Sequence, residues 1–544
     1  MKTNIFKSSF LALAMMASFS ACTQNEEFGT PAPADEDILN VVAYSNNFVS
    51  TDAASRITDN GTTTTFTDGD AIGVFIVREG EALVSNMKMT LSGTAWEGDN
   101  DAPLYYYKNA DYIAYYPYTA NLAVTTVDEI VEYFTSKIST TGQTSLADYR
   151  NADLMTAEVK AADVVRGQNI TFNFAHKMAM LEVKAPVRSY TTTDGSFTYK
   201  APLGLKVMNG TQVLSLCNVG TDATSGKDIF RCILVPSATE MTIEGQFQDG
   251  NVEVYFPAVG QEVKYTPAAG TYQGVNIDYD YANYDPSRDL KVGDYYYSDG
   301  SIYPGDLTGA PKDGCVGIIF STTVGETALT EKGYNHGYVV ALENARHETD
   351  SPNTSNNLGY YYKWNKTAAN IWTIVSTPAE VIAQEDGYTK TYDEANAINC
   401  YAAQIALNFG KHEDQAKYLN PANTSGWFLP SSGLLDDILH NLSGTTGLWD
   451  ETNGFSDTNE KDKKLAAFKT IQPKFTTLGG TFIGSGEIED VTPNTDRWWS
   501  ITDAPVNGTE YTAWAVEIKL NGQSKLLERN VASENASVRP VFAF

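Results

Sequence analysis

Covalent chemistry and transition-metal binding fall mostly to cysteine and histidine, and this chain of 544 residues has five of each. The histidines (His176, His336, His347, His412 and His440) are scattered, and none stands in a His-Glu-x-x-His spacing. No Gly-x-Ser-x-Gly elbow and no phosphate loop occurs. The 67 acidic residues offer many carboxylate pairs, as glycoside hydrolysis requires, but sequence does not bring two of them together. With no nucleophile, base and orienting group in view, the chain reads as a non-enzyme. Calcium would need clustered oxygen ligands. Asp436-Asp437 and Glu487-Ile488-Glu489-Asp490 supply some, yet read as solvated charge, so no metal and no cofactor is expected. His176, with no partner motif beside it, reads as structural.

One cysteine does stand in a chemical context. Met1 to Ala21 carries Lys2 and Lys7, then the apolar run Phe10 to Ala17, which is too short to span a bilayer. Ser20 and Ala21 precede Cys22, and a polar tract follows. The arrangement resembles a bacterial lipoprotein signal, although Phe19 stands where leucine is commonest. The resemblance implies that residues 1–21 are removed, that Cys22 is lipidated, and that it anchors the chain in outer-membrane lipid. An ordinary secretory signal beside a bystander cysteine is the alternative. No later apolar stretch is long enough to cross a membrane. Cys217, Cys232, Cys315 and Cys400 remain, and an exported chain permits disulfides among them, but free thiols fit equally.

Residues 22–37, with Pro31, Pro33, Glu26, Glu27, Asp35 and Glu36, have little to bury and read as a tether. Ile38 to Tyr44 follows as a strand with apolar residues at both parities, which predicts cover on both faces. The small polar link Ser50 to Ser55 ends at Arg56, a candidate protease site before Ile57; a solvated arginine is the alternative.

The formal net charge of −29 argues against nucleic acid and against charge-driven binding to anionic lipid. The 32 tyrosines, with few charged helical runs, point to sheet. Short strands separated by Gly, Asn, Asp and Thr predict one β-sandwich over residues 38–168 and a second over 169–279. The aromatic clusters around Tyr105 to Tyr107 and Tyr112 to Tyr118 read as core and cross-strand pairs before they read as a sugar platform. Phe172-Phe174 and Leu181-Val183 alternate as half-buried strands do.

Several short stretches carry a family likeness. They are the lipoprotein start, the turn Thr67-Asp68-Gly69-Asp70 into Ile72-Gly73-Val74-Phe75, and Ile113 to Tyr118. Ala152-Asp153-Leu154-Met155, Phe174 to Ala179 and Leu234-Val235-Pro236 complete them. In this order, from Cys22 to about Tyr279, the chain resembles the fimbrillin family of lipoprotein pilins. The resemblance implies two transthyretin-like β-sandwiches, surface export and assembly with other pilin subunits. It also implies cleavage after Arg56, loss of the first strand, and its replacement by a neighbour's strand.

Residues 280–289 read as a polar linker and 290–544 as a mixed α+β domain. A hairpin is expected around Ser298-Asp299-Gly300. Helical spacing of Ile398, Ala402 and Ile405 predicts one helix from Tyr392 to Asn408, capped by Asp393. Leu434, Leu435, Ile438 and Leu442 predict another behind Ser431 or Ser432, and Lys464 to Ile471 a third. Trp427, Leu429 and Pro430, then Trp498 and Trp499, then Arg539 and Pro540 form a set that resembles a C-type-lectin-like family of bacterial surface domains. The likeness concerns fold, and the tryptophans read as core.

Together these features predict a surface-exposed fimbrial tip or accessory subunit, localised to the outer membrane and fimbrium. It would accept a strand by donor-strand exchange and adhere to a glycan or protein through its C-terminal domain. The strand Val538 to Phe544, folded into that domain, would be poorly placed to serve a neighbour. A non-assembling glycan-binding lipoprotein of the cell surface is the alternative, and a surface hydrolase a weaker one.

Overall fold

A computed structural model of the chain describes residues 37–51, 65–140, 142–250, 252–281, 284–347, 362–365, 371–419, 421–449, 460–483, 495–519 and 521–544. Cys22, Arg56, Ile57 and the Glu487 to Asp490 run lie outside these residues. The protein is mainly β, and no described helix is long and apolar enough to cross a membrane.

The chain forms two compact units, one of residues up to Ser45, Thr65–Ile130 and Thr156–Phe174, the other of Asn46–Thr64, Val131–Met155 and Ala175–Phe544. A division at 168 and 169 therefore falls inside the first unit, because the strand Ile170–His176 pairs into its sheet. That sheet has seven strands, in the order Val41–Ser45, Ile170–His176, Met155–Val159, Asp111–Tyr116, Ala71–Arg78, Glu81–Ser92 and Ala95–Gly98. Ile72 to Val77 are all buried, as expected of a central strand covered on both faces. The turn before it forms as its residues predict: Asp70 N–H donates to the Thr67 carbonyl at 2.9 Å, and Gly69 takes φ +90. Close packing explains Gly73, where a Cβ would stand 2.1 Å from the Tyr115 ring. Tyr112, Tyr115 and Tyr116 are buried; the Tyr112 hydroxyl donates to the Tyr105 carbonyl at 2.8 Å, so this aromatic cluster is core.

In the second unit, a five-stranded sheet runs Cys217–Thr221, Asp228–Leu234, Ala179–Ala185, Thr271–Asn276 and Val49–Ser50. A further sheet runs Gln212–Leu214, Lys206–Asn209, Met241–Asp249 and Val252–Phe256, with Val263–Tyr265 also on Met241–Asp249. Leu181, Val183 and Cys232 of the first share one apolar core with Val207, Ile243 and Phe247 of the second. Ile170–His176 alternates in burial as predicted, whereas Ala179–Ala185 is buried on both faces except at Lys184. Glu182 is buried there because Arg231 donates to its Oε2 at 2.6 Å and 2.9 Å.

The expected linker is pinned rather than free. Arg288 makes a two-pronged contact with buried Asp294, both bonds at 2.8 Å, and Asp289 accepts from Thr193 N at 2.7 Å. Beyond it, a five-stranded sheet runs Ile302–Tyr303, Tyr295–Tyr297, Cys315–Ser321, Tyr338–Ala341 and Val541–Ala543. The hairpin forms around Gly300, φ +86, with Tyr297 N–H donating to the Ser301 carbonyl at 2.9 Å. Thr495–Asn507, Glu510–Lys519 and Lys525–Asn530 make a three-stranded sheet.

The helices differ in how far they follow their patterns. Ser432–Ser443 forms with the Ser431 hydroxyl accepting from Leu434 N, and Leu434, Leu435, Ile438 and Leu442 are buried. Lys461–Thr476 forms around the third candidate. The single helix expected from Tyr392 to Asn408 is instead two, Glu394–Ala397 capped by Asp393 and Tyr401–Leu407 capped at Cys400. Ala402 and Ile405 are buried, but Ile398, at the break, is 59% exposed. The four described cysteines are all buried, free thiols.

Candidate functional site

One strand is expected over Ile38 to Tyr44, but the segment 38–51 forms three short ones, Ile38–Leu39, Val41–Ser45 and Val49–Ser50. Ile38–Leu39 pairs antiparallel with Leu104–Tyr105. Val41–Ser45 then forms the edge of the seven-stranded sheet, parallel to Ile170–His176, with Ile170 N–H donating to the Asn40 carbonyl at 2.9 Å. Val49–Ser50 forms the edge of the five-stranded sheet in the second unit, parallel to Thr271–Asn276. The two compact units thus each receive one edge strand from the same short segment.

Cover on both faces is not what the structure shows. Leu39, Val41 and Phe48 are the buried hydrophobic residues of this segment, while Tyr44 is 61% and Val49 65% exposed. An edge strand lies against one sheet face and one neighbour, so half its side chains stay in water whatever their type. The segment is held by three buried side chains and by backbone pairing along each of its short strands. In the second unit these bonds are Val49 N–H to the Gly270 carbonyl at 2.8 Å and Thr51 N–H to the Tyr272 carbonyl at 2.9 Å. The Thr51 hydroxyl adds a bond to Gln273 Oε1 at 2.9 Å.

Phe48 is 5% exposed and stacks on His176, with ring centres 3.7 Å apart and planes 21° from parallel. His176 Nδ1 lies 2.8 Å from Asp153 Oδ1. A carboxylate only accepts, so Nδ1 carries the proton of this bond. Nε2 is buried and has no hydrogen-bond partner among the described residues. No sequence motif joins Asp153 to His176; both lie in stretches quoted above for the fimbrillin resemblance, and that was the available signal.

The C-terminal signature residues come together as a core. Trp427, Leu429, Trp498, Trp499 and Arg539 are buried, as are Pro430 and Pro540. Phe428 N–H donates to the Val541 carbonyl at 2.8 Å and Val541 N–H returns to Phe428 at 3.0 Å, tying the first signature to the last. Ile501 N–H donates to the Pro430 carbonyl at 2.9 Å, tying in the middle one. Trp427 Nε1 donates to the Tyr418 carbonyl and Trp499 Nε1 to the Tyr362 carbonyl, both at 2.7 Å. These indoles are buried and their N–H groups hold backbone carbonyls, so the rings belong to the core.

Asp496, which the sequence did not single out, organises this core. Its buried carboxylate accepts from Trp498 Nε1 at 2.9 Å, the Ser537 hydroxyl at 2.9 Å and Asn344 Nδ2 at 3.1 Å. Burial pushes its pKa up, and the charge on Arg539 opposes this.

Asp436 is not solvated charge either. It is buried, 3.1 Å from His440 Nδ1, and accepts from Trp449 Nε1. No cluster of three or more His, Cys, Asp or Glu side chains suited to a metal occurs among the described residues. The second unit also holds a cavity of about 1040 Å³, lined by Phe197, Phe230, Tyr334, His336, Lys332 and Asn423 among others. Phe197 stacks on His336 there, at 3.9 Å between ring centres.

Comparison with known proteins gives one family match and a set of similar chains. The fimbrillin-like family matches residues 55–297, past the expected end near Tyr279 and as far as the strand Tyr295–Tyr297. The chain is 26% identical over 471 residues to a Bacteroides ovatus protein named "Putative fimbrium tip subunit Fim1C", covering 78% of this chain and 84% of that protein. A crystal structure of a fimbrial protein from Bacteroides ovatus is 20% identical and covers 93% of this chain and 99% of that one, with a TM-score of 0.42. Another, of a "putative cell adhesion protein" from the same species, is 17% identical and covers 44% of this chain and 91% of that one, with a TM-score of 0.29. This chain therefore matches the fimbrillin-like family over residues 55–297 and is similar, over most of its length, to the Bacteroides ovatus protein named "Putative fimbrium tip subunit Fim1C".

Proposed function

We propose that this chain is a surface-exposed fimbrial tip or accessory subunit that accepts a strand from a neighbouring pilin and adheres through its C-terminal region. The observation that carries the reading is the segment 38–51, which supplies an edge strand to each compact unit just upstream of Arg56. Cleavage between Arg56 and Ile57 would free it. Each sheet would then lose half the partners of its edge backbone, and Ile170–His176 and Thr271–Asn276 would offer unpaired N–H and C=O groups to a new strand.

In this reading Cys22 is lipidated and holds the precursor at the outer membrane, and the β-regions are transthyretin-like sandwiches. The region 290–544 is C-type-lectin-like, and its ligand is a glycan or a protein. The strand Val541–Ala543 is not itself offered to a neighbour, because its three residues are buried and paired with Tyr338–Ala341 in its own sheet. Extracting it would unpair that sheet and open the C-terminal core.

The N-terminus of the protein taken from the cell surface tests the proposal. A start at Ile57 supports strand removal. A start at Cys22 in assembled fimbriae overturns it, and a start at lipidated Cys22 in a protein that stays monomeric on the cell overturns it in favour of an anchored binding protein that never assembles.

A further inference from the structure

We infer that His176, braced by Asp153, is the recognition subsite of the strand-accepting groove in the second unit, and that the neighbour's strand entering it must present an aromatic side chain where Phe48 now lies. The inference rests on the strand-replacement reading above and specifies what the replacing strand must carry.

The groove has the width of one extended backbone. The Gly270 and Tyr272 carbonyls accept from Val49 and Thr51, while the other edge of Thr271–Asn276 is taken by Ala179–Ala185. Backbone bonds of this kind accept any sequence, so they give affinity without choice. Choice requires a side-chain pocket, and the segment fills one here. Phe48 is buried, while Asn46, Asn47 and Val49 on either side are exposed.

The wall of that pocket is an imidazole face fixed in place. Asp153 holds Nδ1, and the backbone next to the ring is tied twice, by Lys177 N–H to the Leu154 carbonyl and by Gly270 N–H to the Met178 carbonyl, both at 2.8 Å. Gly270 is itself the residue whose carbonyl receives Val49 N–H, so the pocket and the groove share one rigid corner. A ring held flat rewards a flat partner: stacking adds to burial, whereas a branched aliphatic side chain fills the space without stacking. His176 thus acts as a gauge for the residue just before the paired strand.

The test uses the full chain nicked after Arg56, with fluorescent peptides of residues 38–56 competing for the place of the cut segment. The wild-type peptide should exchange in. Phe48→Ala should bind about a hundredfold more weakly and Phe48→Leu about fivefold more weakly. Val49→Ala, changed at the exposed neighbour, should bind as the wild type does. If no peptide exchanges into the nicked chain, strand replacement itself fails. If the wild type exchanges and Phe48→Leu matches it, the groove accepts strands but the aromatic requirement is wrong. Because every substitution is in the peptide, misfolding of the chain cannot imitate either result.

Discussion

The guanidinium of Arg539 lies 4.7 Å from the centre of the Trp498 ring, fully buried, with the Phe475 ring 5.6 Å away on another side. Its Nη1 donates to the Ala341 carbonyl at 3.0 Å and its Nη2 to the Thr481 carbonyl at 2.8 Å. The signature arginine therefore ties its own segment to the backbones of two other chain segments. Burial pulls its pKa down to about 10, although the charge on Asp496 works the other way.

Arg539→Lys keeps the charge but loses the fork that reaches two carbonyls at once. It should destabilise the chain by about 2–3 kcal/mol, read from urea unfolding followed by tryptophan fluorescence. An unchanged midpoint would mean that these bonds contribute little.

Gly73→Ala should cost about 1–3 kcal/mol, because the new methyl would meet the buried Tyr115 ring on the neighbouring strand. Gly69 has nothing within 4 Å of a notional Cβ, so Gly69→Ala should act through its φ of +90 alone and cost less. Thermal melts of the two variants side by side check the order.

Burial, then the Asp436 and Glu385 carboxylates, push Asp437 up to about 6, while His440 works in the opposite direction. The folded value lies above that of the unfolded chain, near 4, so the folded state binds this proton more tightly. Its contribution is fully present below about pH 4 and is lost as pH rises through 6. Asp437→Asn should therefore stabilise the protein at pH 7 by about 1 kcal/mol, after allowance for partial exposure, and by almost nothing at pH 4. Equal gains at both pH values would contradict this origin.

Cys315 and Cys400 are buried, and burial pushes both thiols up to about 12. Neither forms thiolate at neutral pH, so the native protein should react slowly with a disulfide reagent at these sites. All four described cysteines should become reactive together on unfolding, a difference read directly by thiol titration.

What the sequence determined by itself was local. The Ser431 cap and the Leu434, Leu435, Ile438 and Leu442 face lie within one helix, and the Thr67 to Asp70 turn within four residues, so both could be read from spacing. The mainly β class and the fimbrillin likeness were legible for the same reason, since strand periods and short motifs are properties of neighbours along the chain. The helix expected from Tyr392 to Asn408 failed where a tertiary choice intervened. Cys400 is buried and bridges to Asn365, Ala402 N–H donates to the Trp364 carbonyl at 3.2 Å, and Ile398 is left in solvent.

Only the tertiary structure decided the pairings across distance. Asp153 reaches His176 over 23 residues, and Asp496 reaches Ser537 over 41. Asp436 reads as solvated charge in sequence and is a buried hydrogen-bond acceptor in the fold. Likewise the apolar pattern of Ile38 to Tyr44 could not reveal that its residues divide between one sheet and another pairing, or that Val49–Ser50 goes to a third. Side-chain chemistry states what a residue can bond to. Register and burial decide what it meets, and those are set by chain segments that sequence spacing does not connect.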